Sequence, residues 1–204
     1  MFQSREAFAF VHAKYSVVDG TSYVFSTGNY ASTSFRKNRE FFVFGNDVRT
    51  ASFLRSLFSA DFRASPFSGP VPGRAYLAPL DARTKIVGFV RSAEKSLEVW
   101  APSLSDPELL RELSAAAGRG VAVRVCLPEG SADFAELPPD IPAYRMKKPQ
   151  LHAKTILVDR SLLLIGSANF TSNSLDRNRE VGAVFSDSGT VRNYETTLRQ
   201  DCKR

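Results

Sequence analysis

The chain carries two copies of one polar pattern, 140 residues apart and in step without a gap. His12-Ala13-Lys14 is followed by Asp19, and His152-Ala153-Lys154 by Asp159 at the same spacing. Asn29 and Asn169 lie 17 residues after their histidines, and Glu40 and Glu180 lie 28 after, each closing an Asn-Arg-Glu triplet. From 12 to 44 against 152 to 184, 11 of 33 positions are identical, mainly polar ones. A repeat kept only for packing would match in apolar periodicity and drift in its polar residues. Here the polar set matches, and it contains the only two histidines of the chain. Such a pattern predicts two like halves that share a paired active site.

With 204 residues, 43% of them hydrophobic and 16 of them Phe, the chain can bury a substantial core, as one unit or as two intertwined halves. No apolar run approaches the roughly 20 residues of a membrane span. The start, Met1-Phe2-Gln3-Ser4-Arg5-Glu6, lacks the order of a signal peptide. A cytoplasmic or peripheral membrane location is expected. Cys126 and Cys202 have neither metal-ligand spacing nor the density of a disulfide scaffold, and Cys126 reads as an apolar filler on a strand. The net charge of +6 favours polyanionic partners, nucleic acid or an anionic lipid surface.

The second half predicts an α/β unit. Helices are expected at 84–92, from the Ser105-Asp106-Pro107-Glu108 cap to Gly118, and from 189 to about 201. Strands are expected at 97–100, 121–127, 143–146, 153–158, 162–165 and 180–185. The first half repeats only the later part of this plan, with strands at 7–11, 15–18, 22–25 and 40–44. A helix at 47–61 follows, built on Val48, Phe53, Leu54, Leu57 and Phe58. Strands alternating with helices predict a largely parallel or mixed sheet with helices on both faces. Phe41, Phe42 and Phe44 read as core or interface packing, and so does Trp100.

The pattern H-x-K-x(4)-D, then G-S-x-N and a downstream acid, resembles the phospholipase D superfamily, near the bacterial cardiolipin synthase-like and phosphatidylserine synthase-like proteins. The second copy fits throughout: His152, Lys154, Asp159, Gly166-Ser167-Ala168-Asn169 and Glu180. The first departs once, at Ser26-Thr27-Gly28-Asn29, where serine replaces the first glycine. The resemblance implies an α/β fold of two pseudo-symmetric halves. It divides the chain into a partial first repeat (1–63), a Pro-, Gly- and Ser-rich linker (64–75) and a complete second repeat (76–204). Because the front of the first repeat is missing, the chain reads as part of a longer protein.

The resemblance implies metal-independent phosphodiester chemistry without a cofactor, one histidine from each repeat serving one site. His12 is assigned as the nucleophile that forms a phosphohistidine, and His152 as the acid. Lys14, Lys154, Asn29 and Asn169 would surround the phosphoryl oxygens, with Thr27 and Ser167 supporting them. Glu40 and Glu180 would hold the rear nitrogen of a histidine. Asp19 and Asp159 precede turns and read as structural. Arg39 and Arg179 are expected to form ion pairs inside each half; Arg145, Lys147 and Lys148 face a polyanion or only solvent. A phospholipid at a membrane surface is the expected substrate, with no transmembrane segment in the chain and a homodimer compatible with the pattern. Nuclease action on DNA or RNA, steeply weakened by salt, is the alternative. A silent phosphate-binding module is the third reading.

Overall fold

The computed structural model describes residues 8–201, so Ala7 of the first expected strand and Cys202 lie outside the described residues. In chain order the first half holds β1 (Phe10–Val11), β2 (Tyr15–Val18), β3 (Ser22–Ser26), the short helix α1 (Ser32–Arg36), β4 (Asn38–Arg39), β5 (Phe42–Asn46) and α2 (Val48–Phe62). The second holds β6 (Ala75–Ala78), α3 (Ala82–Arg91), β7 (Ser96–Trp100), α4 (Pro107–Gly118) and β8 (Ala122–Pro128). A 3-10 turn (Ala132–Ala135) leads to β9 (Ala143–Met146), β10 (Gln150–Leu151), β11 (Thr155–Val158), β12 (Leu162–Gly166), α5 (Ser172–Asp176), β13 (Asn178–Phe185) and α6 (Ser188–Asp201).

Local chemistry explains where the long helices begin. Asp47 caps α2 by accepting from Thr50 N at 2.8 Å, and Asp187 accepts from Thr190 N at 2.9 Å at the start of α6. Asp106 caps α4 through Glu108 N and Leu109 N, with Pro107 in the first turn, where its missing N–H costs nothing. An aspartate N-cap typically contributes about 1 kcal/mol.

The main sheet has eight strands in the order β1-β13-β12-β11-β7-β8-β9, with β6 also on β13. It is mixed: β7-β8-β9 run parallel, and β7-β11-β12-β13 alternate direction. Helices α3 and α4 cover one face over a core that includes Ile86, Leu97, Leu109, Ile156 and Leu164. On the other face, Val191, Tyr194 and Leu198 of α6 pack on Trp100, Leu157 and Ile165, with Val43 and Phe41 joining from the first half. Cys126 is buried in that second cluster. The first half forms its own sheet, β2-β3-β5, packed on Phe53, Leu54 and Leu57 of α2. Val181 and Ala183 of β13 complete that core. Val43 and Ala183 are equivalent in the repeat, so each half lends the same position to the other's core.

The halves differ in what covers their sheets. Among the described residues the first half has no counterpart of β7, α3 or α4, so positions buried in the second are open in the first. Tyr30 is 54% exposed where its equivalent Phe170 is 0%, and Phe35 is 63% exposed where Leu175 is 1%. Phe44 is 77% exposed, which corrects its reading as packed. Phe58 and Val48 of α2 are exposed too, so the apolar face of that helix is only partly used. For Tyr30, Phe35 and Phe58 the physical reason is shared: their equivalents Phe170, Leu175 and Leu198 are buried by a layer that has no counterpart among the described residues of the first half.

This difference also accounts for the one departure from the motif. A Cβ on Gly166 would stand 2.0 Å from the Tyr76 hydroxyl and 2.8 Å from Gly182 Cα. Only glycine fits under the β6 strand that carries Tyr76. The first half has no such strand among the described residues, and Ser26 uses the space: its hydroxyl donates to Gly28 O at 2.8 Å and accepts from Gly28 N at 3.0 Å.

Candidate active site

Two short parallel pairings build the site. β1 lies on β13, with Phe10 opposite Asn178 and Val11 opposite Arg179. β10 lies on β4, with Gln150 opposite Asn38 and Leu151 opposite Arg39. These registers interconvert under the 140-residue offset, so they are one contact made twice. Each carries a histidine strand of one half onto the Asn-Arg-Glu strand of the other. His12 N donates to Arg179 O at 2.9 Å, and His152 N donates to Arg39 O at 3.2 Å.

The side chains follow the same crossing. His12 Nδ1 lies 2.9 and 3.0 Å from the two Glu180 oxygens. His152 Nδ1 lies 2.5 Å from Glu40 Oε1. A carboxylate only accepts, so Nδ1 carries the proton in both rings; Nε2 is the nitrogen not held by a glutamate, with Lys154 Nζ 3.2 Å from that of His152. Both glutamates are buried, Glu180 completely. Burial alone would push the Glu40 carboxyl up, but hydrogen bonds from His152 and Thr27 outweigh it and hold the group below the usual range. Asn38 and Asn178, which open the triplets, donate their amides to Glu40 and Glu180.

Both lysines are buried. Lys14 Nζ donates to His12 O at 2.6 Å, and Lys154 Nζ donates to His152 O at 2.5 Å and to Thr27 O at 3.2 Å. Lys154 Nζ also lies 3.0 Å from His152 Nδ1. Desolvation lowers both, Lys14 to about 8 and Lys154 to about 7, although Glu40 and Glu180 pull each the other way. Such groups are poised to take a proton when an anion arrives, since a nearby negative charge favours the ammonium form. Calorimetric titration with inorganic phosphate at pH 8, in two buffers of different ionisation enthalpy, should show uptake of about one proton on binding. Uptake should vanish below about pH 6, where both lysines are already charged. Binding at pH 8 with no proton exchange would mean that the anion avoids these lysines.

Asn169 Oδ1 is buried with no hydrogen-bond partner among the described residues, while Asn29 is exposed. An orphaned buried amide costs roughly 1–3 kcal/mol, a penalty that a ligand can relieve. Thr27 and Ser167 require a correction. Both are fully buried. Thr27 Oγ1 donates to Glu40 Oε2 at 2.7 Å and accepts from Phe41 N, and Ser167 Oγ is bonded to both the N–H and the carbonyl of Val181. Their hydroxyls are committed to the glutamate and its strand and have no surface for a phosphate.

Asp159 accepts from the backbone N–H groups of Lys95 at 2.7 Å, Ser96 at 2.9 Å and Glu94, closing the turn before β7. Asp19 has the same left-handed backbone, with φ 51 against 50, but is exposed, with no counterpart of the β7 turn among the described residues to cap. Arg39 and Arg179 also depart from expectation, because their ion pairs run between the halves, to Asp201 and Asp61. The repeat extends to these aspartates at the same 140-residue offset, a signal present in the sequence but not used. Arg145 stacks on Phe134, and Lys147 and Lys148 are exposed on the approach to β10. Among the described residues, no group of three or more His, Cys, Asp or Glu side chains is arranged to hold a metal, and no helix is long and apolar enough to cross a membrane.

Residues 86–202 match the family described as cardiolipin synthase, PLD-like domain. The chain belongs to this family. Among relatives of this phospholipase D-like protein, the probable cardiolipin synthase YwiE of Bacillus subtilis is 32% identical over 55% of this chain and 25% of its own length. Cardiolipin synthase A of Buchnera aphidicola is 34% identical over 48% of this chain and 22% of its own length. The match thus spans about a quarter of these relatives. Among solved structures, the phospholipase D family member Nuc from Salmonella typhimurium superposes with a TM-score of 0.58 and 26% identity, over 63% of this chain and 91% of Nuc. Phosphatidylserine synthase from Haemophilus influenzae covers 98% of this chain and 64% of its own, with a TM-score of 0.70; at 14% identity it speaks for the fold alone.

Proposed function

We propose that this PLD-like chain is a metal-independent phosphodiesterase or phosphatidyltransferase acting on phospholipids. The crossed clamp carries the reading: each histidine is held through Nδ1 by the glutamate of the other half, beside a buried lysine. Residues 1–63 and 76–204 serve as a partial and a complete repeat joined by the linker 64–75. His12 Nε2 attacks phosphorus, forming an N–P bond as the P–O bond to the leaving group breaks. His152 gives its Nε2 proton to the departing oxygen. Water or a primary alcohol then attacks the phosphohistidine, passes its proton to His152 and frees His12. Lys14, Lys154, Asn29 and Asn169 stabilise charge on the non-bridging oxygens. Thr27 and Ser167 act one step back, by holding Glu40 and the β13 strand.

The cardiolipin synthase relatives support phospholipid as the substrate. The test is incubation with phosphatidylglycerol vesicles in EDTA, with and without a primary alcohol, beside parallel reactions on DNA and RNA. Headgroup release and transfer of phosphatidyl groups to the alcohol are expected. Cleavage of nucleic acid with the lipid left intact would replace the substrate class by the nuclease one. No turnover by the folded chain on any of these, nor on an aryl phosphodiester, would leave a phosphate-binding module and end the enzyme reading.

A further inference from the structure

The arginines of the two Asn-Arg-Glu triplets form a second crossed system behind the histidine clamps. Arg39 donates through Nε and Nη2 to both carboxylate oxygens of Asp201, the last described residue of α6, with Nη2 to Oδ1 at 3.1 Å. Arg179 donates through Nε to Asp61 Oδ1 at 3.2 Å, with Nη2 in ion-pair contact with the same oxygen at 3.1 Å, and donates through Nη1 to Ala78 O at 3.1 Å. Asp61 lies near the end of α2. Each arginine therefore ties its strand to an element of the opposite half: Arg39 to α6 and Arg179 to α2. Its carbonyl accepts the backbone N–H of the opposite histidine, and the next residue is the glutamate that holds that histidine's ring.

We infer that Arg39 and Arg179 are positioning residues, Arg39 for His152 and Arg179 for His12, acting through the strand ends that carry Glu40 and Glu180. The physical basis is geometric. β4 and the start of β13 contact the histidine strands over only two residues each. Two ladder positions resist little rotation or slippage, and the guanidinium–carboxylate contacts add directional restraint: Arg39 is bidentate to both oxygens of Asp201, and Arg179 sets two nitrogens on one oxygen of Asp61 while also bonding Ala78 O. The two locks are unequal. The Arg179–Asp61 pair is nearly buried, with side chains 4% and 15% exposed, whereas the arginine of the Arg39–Asp201 pair is 29% exposed. Burial pushes the Asp61 carboxyl up against the pull of Arg179, so this lock depends on the guanidinium to stay charged. Other charged or titratable groups do not substitute: Tyr15, the near neighbour that feels Asp61, is itself held neutral by burial.

The kinetic consequence rests on the proposed reaction, but the structural one does not, and a two-histidine chain allows both to be read. Long-range proton–nitrogen spectra of the imidazoles contain signals from His12 and His152 alone, assigned with the alanine variants. Asp61→Asn and Arg179→Lys should lower the Nδ1-protonated fraction of His12 by at least about half, because that tautomer is set by the hydrogen bond to Glu180. His152 should hold its tautomer in those variants. Asp201→Asn and Arg39→Lys should do the reverse. Where the chain turns over substrate, kcat should fall about tenfold with KM changed less than about twofold, as expected for a small misplacement of a reacting group. If cutting the Arg179–Asp61 lock unfolds the chain, Arg39→Lys, at the lock whose arginine is 29% exposed, still reads the effect on His152. Both imidazoles unmoved in folded variants would overturn the inference. Equal shifts at both histidines would do so too, since that pattern is general loosening. Selective tautomer shifts without any turnover would uphold the positioning role and count against the proposed function alone.

Discussion

Replacing either histidine with alanine is expected to remove at least about 10³-fold of the metal-free turnover of an alkyl phosphodiester, and replacing both should cost little more than one. The two residues lie 140 positions apart and follow strands of separate sheets, so independent sites would lose only half the activity with each substitution. One shared site loses nearly all of it twice, because nucleophile and acid act on the same phosphorus. The assignment of roles is tested by the leaving group. A nitrophenolate departs without help from an acid, so the loss in His152→Ala should shrink on a nitrophenyl diester, while that in His12→Ala should not. The opposite pattern would exchange the two roles. Full activity in either variant on both substrates would end the paired-histidine mechanism. The readout is initial rate in EDTA, with circular dichroism to show that each variant is folded.

Glu40→Gln should disable His152, and Glu180→Gln should disable His12, each by about 10² to 10⁴ in kcat, the range expected when an oriented histidine loses its carboxylate and takes the wrong tautomer. The effect crosses the repeats. Glu40 and His12 share the first half, yet it is His152 that Glu40 holds at 2.5 Å. The leaving-group test separates the two again: the loss in Glu40→Gln should shrink on a nitrophenyl diester along with that of His152→Ala, whereas Glu180→Gln should follow His12→Ala. The Glu40 substitution carries a second cost, because Thr27 donates to that carboxylate and Phe41 N donates to Thr27. Its stability should be compared by denaturant titration before its rate is read. If both glutamine variants followed the histidine of their own half, the crossed clamp would be wrong.

Much of this was legible from residues alone. Spacing identified the polar set, because catalytic groups keep their separation along the chain when the strands that carry them are the same length. Caps and apolar alternation located α2, α4 and most strands to within a residue or two, because those signals are local. Asp159 was read as structural from its place before a turn, and it closes the turn before β7 through three backbone amides. Thr27 and Ser167 were misjudged because a hydroxyl reads the same in sequence whether it faces a phosphate or a strand. Arg39 and Arg179 were assigned partners in their own halves, since sequence gives no distance between α2 and β13 or between α6 and β4.

Residues read along the chain establish that two equivalent polar sets exist, which residue types they contain and that the second half is the fuller one. The partnerships come from the packing of the two halves. Parallel pairing of β1 with β13 and of β10 with β4 brings each histidine to the glutamate and arginine of the other repeat. Packing also decided the fate of Ser26 and Gly166, which differ because one lies under Tyr76 and the other does not. The physical reason is common to both. Periodicity, caps and spacing are written by neighbours along the chain, whereas hydrogen-bond partners and excluded volume are set by neighbours in space, and here those come from the opposite half.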